Sequence, residues 1–342
     1  MISIVIPCYN AEKHIRTAVD HVLNQSNGDF QLVLVDDGSK DTTSAIVDEY
    51  ADGDKRIKVL HQSNHGLMRA WKNGVMEADG DYIAFCDADD YLEADFVERV
   101  NKEIQGSPAD IILYGITLDY EKGASLHRGN RIASGVYDSE RIKSDIYPHF
   151  FSDGSMESWA INQSRCAKAI RKDLLLRIIH DLSDDIHIGE DCLTTFAAVL
   201  VADSILCIDD YYPYHYVRNG ASMIGGYVEA WYEKFVTLTD ELDMIADKYD
   251  YEYKDQIKRD LFSNIILYLK KDICNNPGGY KATRAVYRRI MKDEHYLQCS
   301  DGIDISGYGT AERVFAWLVI HGWYIPLYVL TRLCNRILAR SI

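Results

Sequence analysis

Ile2-Ser3-Ile4-Val5-Ile6-Pro7-Cys8-Tyr9-Asn10-Ala11-Glu12 reads as a short β-branched strand that meets a proline and passes into a polar turn. Pro7 is expected to end the strand, and Asn10 to cap a helix carrying the apolar stripe Ile15, Ala18, Val19, Val22 and Leu23. The alternation continues outward from there. Further strand-like runs stand at Leu32–Val35, Ile57–Leu60, Tyr82–Phe85 and Ile111–Tyr114, with helical spacing between them at Ala45, Ile46 and Tyr50 and at Phe96, Val97, Val100 and Ile104. Strand–helix repetition of this kind predicts an α/β fold with a mainly parallel, Rossmann-like sheet flanked by helices. Such sheets bind ligands beyond the carboxyl ends of their strands, which directs attention to the residues after each strand.

Composition narrows the field. At ~150 residues per domain the 342 residues predict roughly two domains. A hydrophobic content of 47% supplies a core and excludes wholesale disorder. With 37 basic and 53 acidic residues the net charge is −16, a poor overall match for a nucleic-acid backbone. The eight cysteines are scattered with no CxxC pair, which excludes a zinc ribbon and points to reduced thiols in a cytosolic chain. No basic n-region or signal-like apolar stretch precedes Ile2, so a cytoplasmic location is expected.

Two acidic clusters follow strands: Asp36-Asp37-Gly38-Ser39 and Asp87-Ala88-Asp89-Asp90. On an extended backbone Asp87 and Asp89 share a face, and two carboxylates facing one way repel unless a cation lies between them. Oxygen ligands of this kind suit Mg²⁺ or Mn²⁺, with substrate phosphates completing the shell. Taken alone, the same residues also describe a solvated acidic turn.

Together, Ile4–Glu12, Leu34–Ser39 and Gly80–Asp90 resemble the family-2 glycosyltransferases of the GT-A fold. The likeness is good over about residues 1–115. It is thinner through Lys168–Leu175, Gly189-Glu190-Asp191 and Tyr211–Met223, and absent beyond about residue 225. It implies inverting transfer of a sugar from a nucleotide-diphosphate sugar, usually a UDP-sugar, to an acceptor hydroxyl, with Mn²⁺ or Mg²⁺ as cofactor. Carried over residue by residue, Pro7, Tyr9 and Glu12 would line the nucleoside pocket, and Asp37, with Asp36 beside it, would hydrogen-bond the base. Asp87 would approach the ribose or a metal-bound water, and Asp89 would bind the cation directly. Asp191 would be the general base, with Glu190 the next candidate; as the start of an apolar run, Asp191 also reads as a helix N-terminal charge. The stretch Tyr214–Arg218 with Ser222 resembles a segment near the diphosphate, where Arg218 would meet a phosphate. His215 is there either a third metal ligand or a ring packed between two tyrosines. These roles make chemical sense: a dication offsets charge on a leaving diphosphate, and a carboxylate base contributes about 10²–10⁴ in rate.

The chain departs from the family in Asn64–Gly74, which usually carries an Arg-Asn pair where Trp71 and Lys72 stand. Arg69 or Lys72 could substitute, and Trp71 could be core. Lys168, Arg171 and Lys172 either face a pyrophosphate-linked lipid acceptor or form a solvated helix face.

Residues 116–160 read as a loop-rich excursion, and 161–220 as mixed. From about 227 the chain reads as helical through Trp231, Phe235, Leu238, Leu242 and Ile245. The expected organisation is a nucleotide-sugar-binding half at 1–115, an acceptor half with the base at 116–225, and a mostly α-helical C-terminal region at 226–342. Val314–Leu330 is apolar, aromatic and flanked by Arg313, Arg332, Arg336 and Arg340, with no acid after Glu312. That composition suits an interfacial helix on an anionic membrane, which would make the protein peripheral at the inner face of the cell membrane. Packing within the protein or a homo-oligomer, and a marginal span, are the alternatives. The overall expectation is a glycosyltransferase of bacterial surface polysaccharide synthesis acting on a glycan or polyprenyl-diphosphate-linked acceptor. A nucleotidyltransferase on the same fold and a non-catalytic nucleotide-sugar-binding scaffold are the rival readings.

Overall fold

A computed structural model describes residues 1–120, 123–151, 159–218 and 230–338. Ser222, Met223 and Arg340 therefore lie outside the described residues. The chain divides into two compact units, Met1–Pro148 with Ala160–Asn219, and His149–Trp159 with Gly220–Ile342.

The first unit holds the strands β1 (Ile2–Cys8), β2 (Phe30–Asp36), β3 (Ile57–His61), β4 (Tyr82–Phe85), β5 (Tyr91–Leu92), β6 (Ile111–Leu113), β7 (Ile116–Tyr120), β8 (Ser125–Arg128), β9 (Gly135–Asp138), β10 (Lys168–Arg171), β11 (Ser204–Cys207) and β12 (Tyr214–Arg218). Eight of them form one sheet in the order β3-β2-β1-β4-β10-β6-β11-β9. Four neighbouring pairs are parallel: β3/β2, β2/β1, β1/β4 and β6/β11. β10 runs antiparallel to both its neighbours, and β9 is an antiparallel edge. Every residue of β1 and β2 is buried, as unbroken apolar runs require when both sheet faces are covered. The helix Ile15–Leu23 buries Ile15, Ala18, Val19 and Val22. The helix Leu67–Glu77 approaches β1 so closely that a Cβ on Gly74 would lie 2.4 Å from Val5 Cγ1. That approach seats Trp71 in the core, edge-on to Phe85 at 5.8 Å.

Local expectations at the first turn need correction. β1 continues through Pro7 to Cys8, because its pairing with β4 ends at Val5 and the proline has a strand neighbour only in β2. Asn10 is not a helix cap. Its φ is 51°, its side-chain oxygen accepts from Lys40 N at 2.8 Å, and its own N–H donates to Ser39 Oγ at 3.0 Å. It ties the first turn to the second. Residues 116–138 are more regular than a loop, since a second sheet of order β5-β12-β7-β8 runs through them. Its central pairing, β7 parallel to β12, joins segments distant in sequence, so no local pattern announced it.

The second unit is helical: Trp231–Lys248, Asp255–Asn275, Gly279–Ile290, Glu294–Ser300, Thr310–Ile320 and Tyr324–Leu338. Trp231, Phe235, Leu238, Leu242 and Ile245 are all buried, as their spacing predicts. The apolar C-terminal stretch is two helices broken at His321–Trp323, with Gly322 at φ 72°. Pro326 falls in the first turn of the second helix, where its missing N–H costs nothing. Among the described residues no helix is long and apolar enough to cross a membrane.

Candidate active site

Asp87 and Asp89 follow β4, but not on extended backbone. The Asp90 N–H bonds back to Asp87 O at 3.1 Å and closes a turn, so the two carboxylates are not aligned by strand alternation. Asp87 is half-buried and Asp89 exposed. Desolvation, followed by the charge of Asp191, pushes the Asp87 carboxyl up to about 7, with Asp89 and Glu190 adding and Arg165 opposing. The two distant motifs thus meet: the carboxylates after β4 face the Gly-Glu-Asp segment.

That segment begins the helix Glu190–Val201, introduced by Gly189 at φ 76°, a left-handed conformation that glycine adopts without steric cost. Nine of its residues are buried, so it is a core helix with both acids in its first turn, where the helix dipole favours them. Burial, then the neighbouring Asp191 charge, raises the Glu190 carboxyl above its ordinary value. Arg165 Nε lies 2.9 Å from Asp191 Oδ1, and the arginine side chain is only 3% exposed. Burial works against its charge, but Asp191, Glu190 and Asp87 outweigh it and hold the guanidinium above its ordinary value.

Sequence reasoning passed over Arg165 and Asp90. Arg165 had no local signal: it precedes Cys166 and Ala167 in an unremarked turn before β10. Asp90 was visible as the third carboxylate of its cluster. It is buried, receives the Tyr214 hydroxyl, accepts from Val217 N at 2.8 Å, and so fastens β12 to the carboxylate turn. Burial, then Asp87, pushes it up to about 8.

The first acidic pair turns inward. Burial would raise the Asp36 carboxyl, yet hydrogen bonds from Ser39, Ser44 and His61 leave it below its ordinary value. Asp37 accepts from Gln62 Nε2 at 2.7 Å, His65 N at 2.9 Å and Gly66 N at 2.8 Å. The two acids hold turns together. Pro7 is buried in β1, Tyr9 is 45% exposed just beyond it, and Glu12 accepts from Thr42 N and Oγ1 at 3.1 and 2.8 Å.

His215 Nδ1 is 2.7 Å from Asp119 Oδ2 and its Nε2 2.7 Å from Glu93 Oε1, with the ring stacked on Tyr91 at 4.4 Å. Both nitrogens are thus engaged within the second sheet. Arg218, exposed at the end of β12, lies over the Tyr120 ring at 5.3 Å. Arg69 and Lys72 both bind Asp184, at 2.5 Å each, and Trp71 is core. Lys168 is buried on a strand, not on a helix face, and its ammonium donates to the carbonyls of Asn162 and Ser164. Arg171 pairs with Asp110 and Asp173, and Lys172 donates to Ala78 O, so these cations have internal partners.

A divalent cation fits this donor set. Hard oxygen ligands face a surplus of negative charge that already strains the ionisation of Asp87. Among the described residues no group of three or more His, Cys, Asp or Glu could hold a metal ion.

The family model described as Glycosyl transferase family 2 matches residues 3–179. The chain is 38% identical over 218 residues to the uncharacterized glycosyltransferase EpsJ of Bacillus subtilis (strain 168), covering 61% of this chain and 59% of EpsJ. It is 25% identical over 248 residues to the glycosyltransferase GlyA of Streptococcus pneumoniae serotype 4, covering 72% of this chain and 35% of GlyA. The chain therefore spans about a third of GlyA and under two thirds of EpsJ. Its fold is similar to the crystal structure of S. aureus TarS 1–349 in complex with UDP, with a TM-score of 0.62 at 17% identity over 98% of this chain and 91% of that one.

Proposed function

The chain belongs to glycosyl transferase family 2, and from that premise we propose that it is an inverting enzyme moving a sugar from a UDP-sugar to a hydroxyl of a glycan or lipid-linked acceptor in bacterial surface polysaccharide synthesis. The observation that carries the reading is the meeting of Asp87, Glu190 and Asp191 around Arg165 beyond the carboxyl end of β4. The UDP complex of TarS, similar in fold, supports a uridine donor.

In this reading Asp191 is the general base. Its carboxylate takes the acceptor hydroxyl proton as that oxygen bonds to the anomeric carbon, while the bond to the diphosphate breaks and its electron pair leaves with UDP. Asp89 and Asp87 would hold Mn²⁺ or Mg²⁺, which supplies Lewis-acid stabilisation of the leaving diphosphate. Pro7, Tyr9, Glu12 and Asp37 would form the nucleoside pocket, with Tyr9 offering an exposed ring, and Arg218 would meet the diphosphate. His215 would have to release Asp119 or Glu93 to ligate an ion, so the cation is assigned to the aspartates. Residues 1–115 would serve the donor and 116–225 the acceptor. The helix Tyr324–Leu338, with Ile325, Val329, Leu333 and Ile337 49–65% exposed, would lie on anionic lipid at the cytoplasmic membrane face.

The test is Asp191→Asn. It is expected to lower kcat by about 10²–10⁴ while calorimetry finds UDP affinity within about threefold of wild type. The product accompanying transfer should be free UDP. Transfer at the wild-type rate removes the base assignment, and release of pyrophosphate favours nucleotidyl transfer.

A further inference from the structure

Arg165 has been given no part in the reaction, yet it is poorly explained as a packing residue. It occupies the turn Arg165–Ala167 before β10. Its Cζ lies 5.3 Å from the Trp71 ring centroid and 5.7 Å from that of Phe85, so two core aromatics hold the guanidinium. Its Nε is 2.9 Å from Asp191 Oδ1. Its Nε and Nη1 are buried, and neither makes a hydrogen bond among the described residues. The 2.9 Å contact is thus an ion pair without hydrogen-bond alignment, and Nη1 is an open donor. A buried donor left open is costly, so a fold that keeps one beside its reactive carboxylates has a use for it. Trp71 stands where the family resemblance leads one to expect an arginine. The guanidinium beside its ring comes instead from another element.

We propose that Arg165 is the positioning residue of Asp191 and that its open Nη1 donates a hydrogen bond to a sugar hydroxyl of a bound substrate. The assignment rests on Asp191 acting as the base. The aromatic pair keeps the guanidinium beside Asp191, the Nε side orients the base carboxylate, and Nη1 registers the sugar against it. A planar fork can meet a carboxylate and a hydroxyl together; a lysine ammonium, one point charge, cannot hold both directions.

The test is a double-mutant cycle on the full chain, with Arg165→Met, Asp191→Asn and the pair, plus Arg165→Lys. Transfer is read as UDP release from UDP-glucose, UDP-galactose and UDP-N-acetylglucosamine, and UDP binding by calorimetry. Arg165→Met is expected to lower kcat by about 10- to 100-fold, the scale of a misplaced reacting group. The double variant should be no slower than Asp191→Asn alone, because Arg165 acts through that residue. Arg165→Lys should recover part of kcat while KM rises for the substrate bearing the hydroxyl. A rise for the UDP-sugar puts that hydroxyl on the donor, and a rise for the acceptor puts it there. Additive losses in the cycle, a kcat for Arg165→Met within twofold of wild type, or an unmoved KM for both substrates overturns the proposal. Loss of UDP binding in both Arg165 variants makes the residue a fold determinant and overturns it too. A wild-type chain that binds UDP but releases none in transfer overturns the transferase reading, and this proposal with it.

Discussion

Asp36 ends β2 and Asp87 follows β4, the two strands that flank β1, and the surroundings of these identical side chains drive them opposite ways. Asp36 is ringed by donors that keep it ionised, whereas Asp87 is desolvated among other acids. Lys168 makes the same point with a base. Burial pushes its ammonium down to about 7, against about 10.4 in an unfolded chain. Between those values the unfolded chain holds a proton that the folded chain has released. The Lys168 contribution to stability therefore rises with pH from about 7 to about 10, by at most about 1.4 kcal/mol per pH unit, and is lost as pH falls through 7. Lys168→Met removes this dependence. In urea titrations, the unfolding free energy of the variant minus that of wild type should decrease steadily from pH 7 to pH 9; a difference constant over that range refutes the assignment.

At the scale of elements, the site depends on how closely the helix Leu67–Glu77 lies on β1. In Gly74→Ala the new methyl meets Val5 Cγ1 and then Val35 Cγ2, at 2.4 and 3.1 Å before relaxation. Overpacking costs about 1–3 kcal/mol and the better helix propensity of alanine returns up to about 1, so a net loss of up to about 2 kcal/mol is expected in urea unfolding. Adding Val5→Ala should recover most of it; an unrelieved loss would place the strain elsewhere. β1, β2 and β4 were legible in the sequence as short unbroken apolar runs, and the helix Ile15–Leu23 by apolar residues recurring at the helical period. The second sheet was not, since β8 is wholly exposed and β12 gains its order from β7. The candidate site divides the same way. Asp87, Asp89, Glu190 and Asp191 belong to short motifs, whereas the Arg165 between them is brought there by antiparallel β10, and the inward turn of Asp36 depends on Ser44 and His61.

For the whole molecule, net charge is a poor guide to partners, because −16 hides a C-terminal stretch without acid after Glu312. Ile325, Val329, Leu333 and Ile337 recur every four residues and stay exposed on a helix that also carries Arg332 and Arg336. Replacing Ile325, Val329 and Ile337 by serine should lower co-sedimentation with phosphatidylserine-containing vesicles at least tenfold, since each loses roughly 1 kcal/mol of apolar transfer and about 1.4 kcal/mol is a factor of ten. Unchanged sedimentation would remove the membrane role. The strand order also has a consequence in time. β10 sits between β4 and β6 in the sheet but follows both in the chain. When the ribosome has delivered β6, that strand is still unpaired with β3-β2-β1-β4, whose open β4 edge only residues 168–171 can join to it. At about 5–20 residues per second that gap lasts several seconds. Open edges recruit other strands, so the nascent chain is most vulnerable to aggregation during this interval.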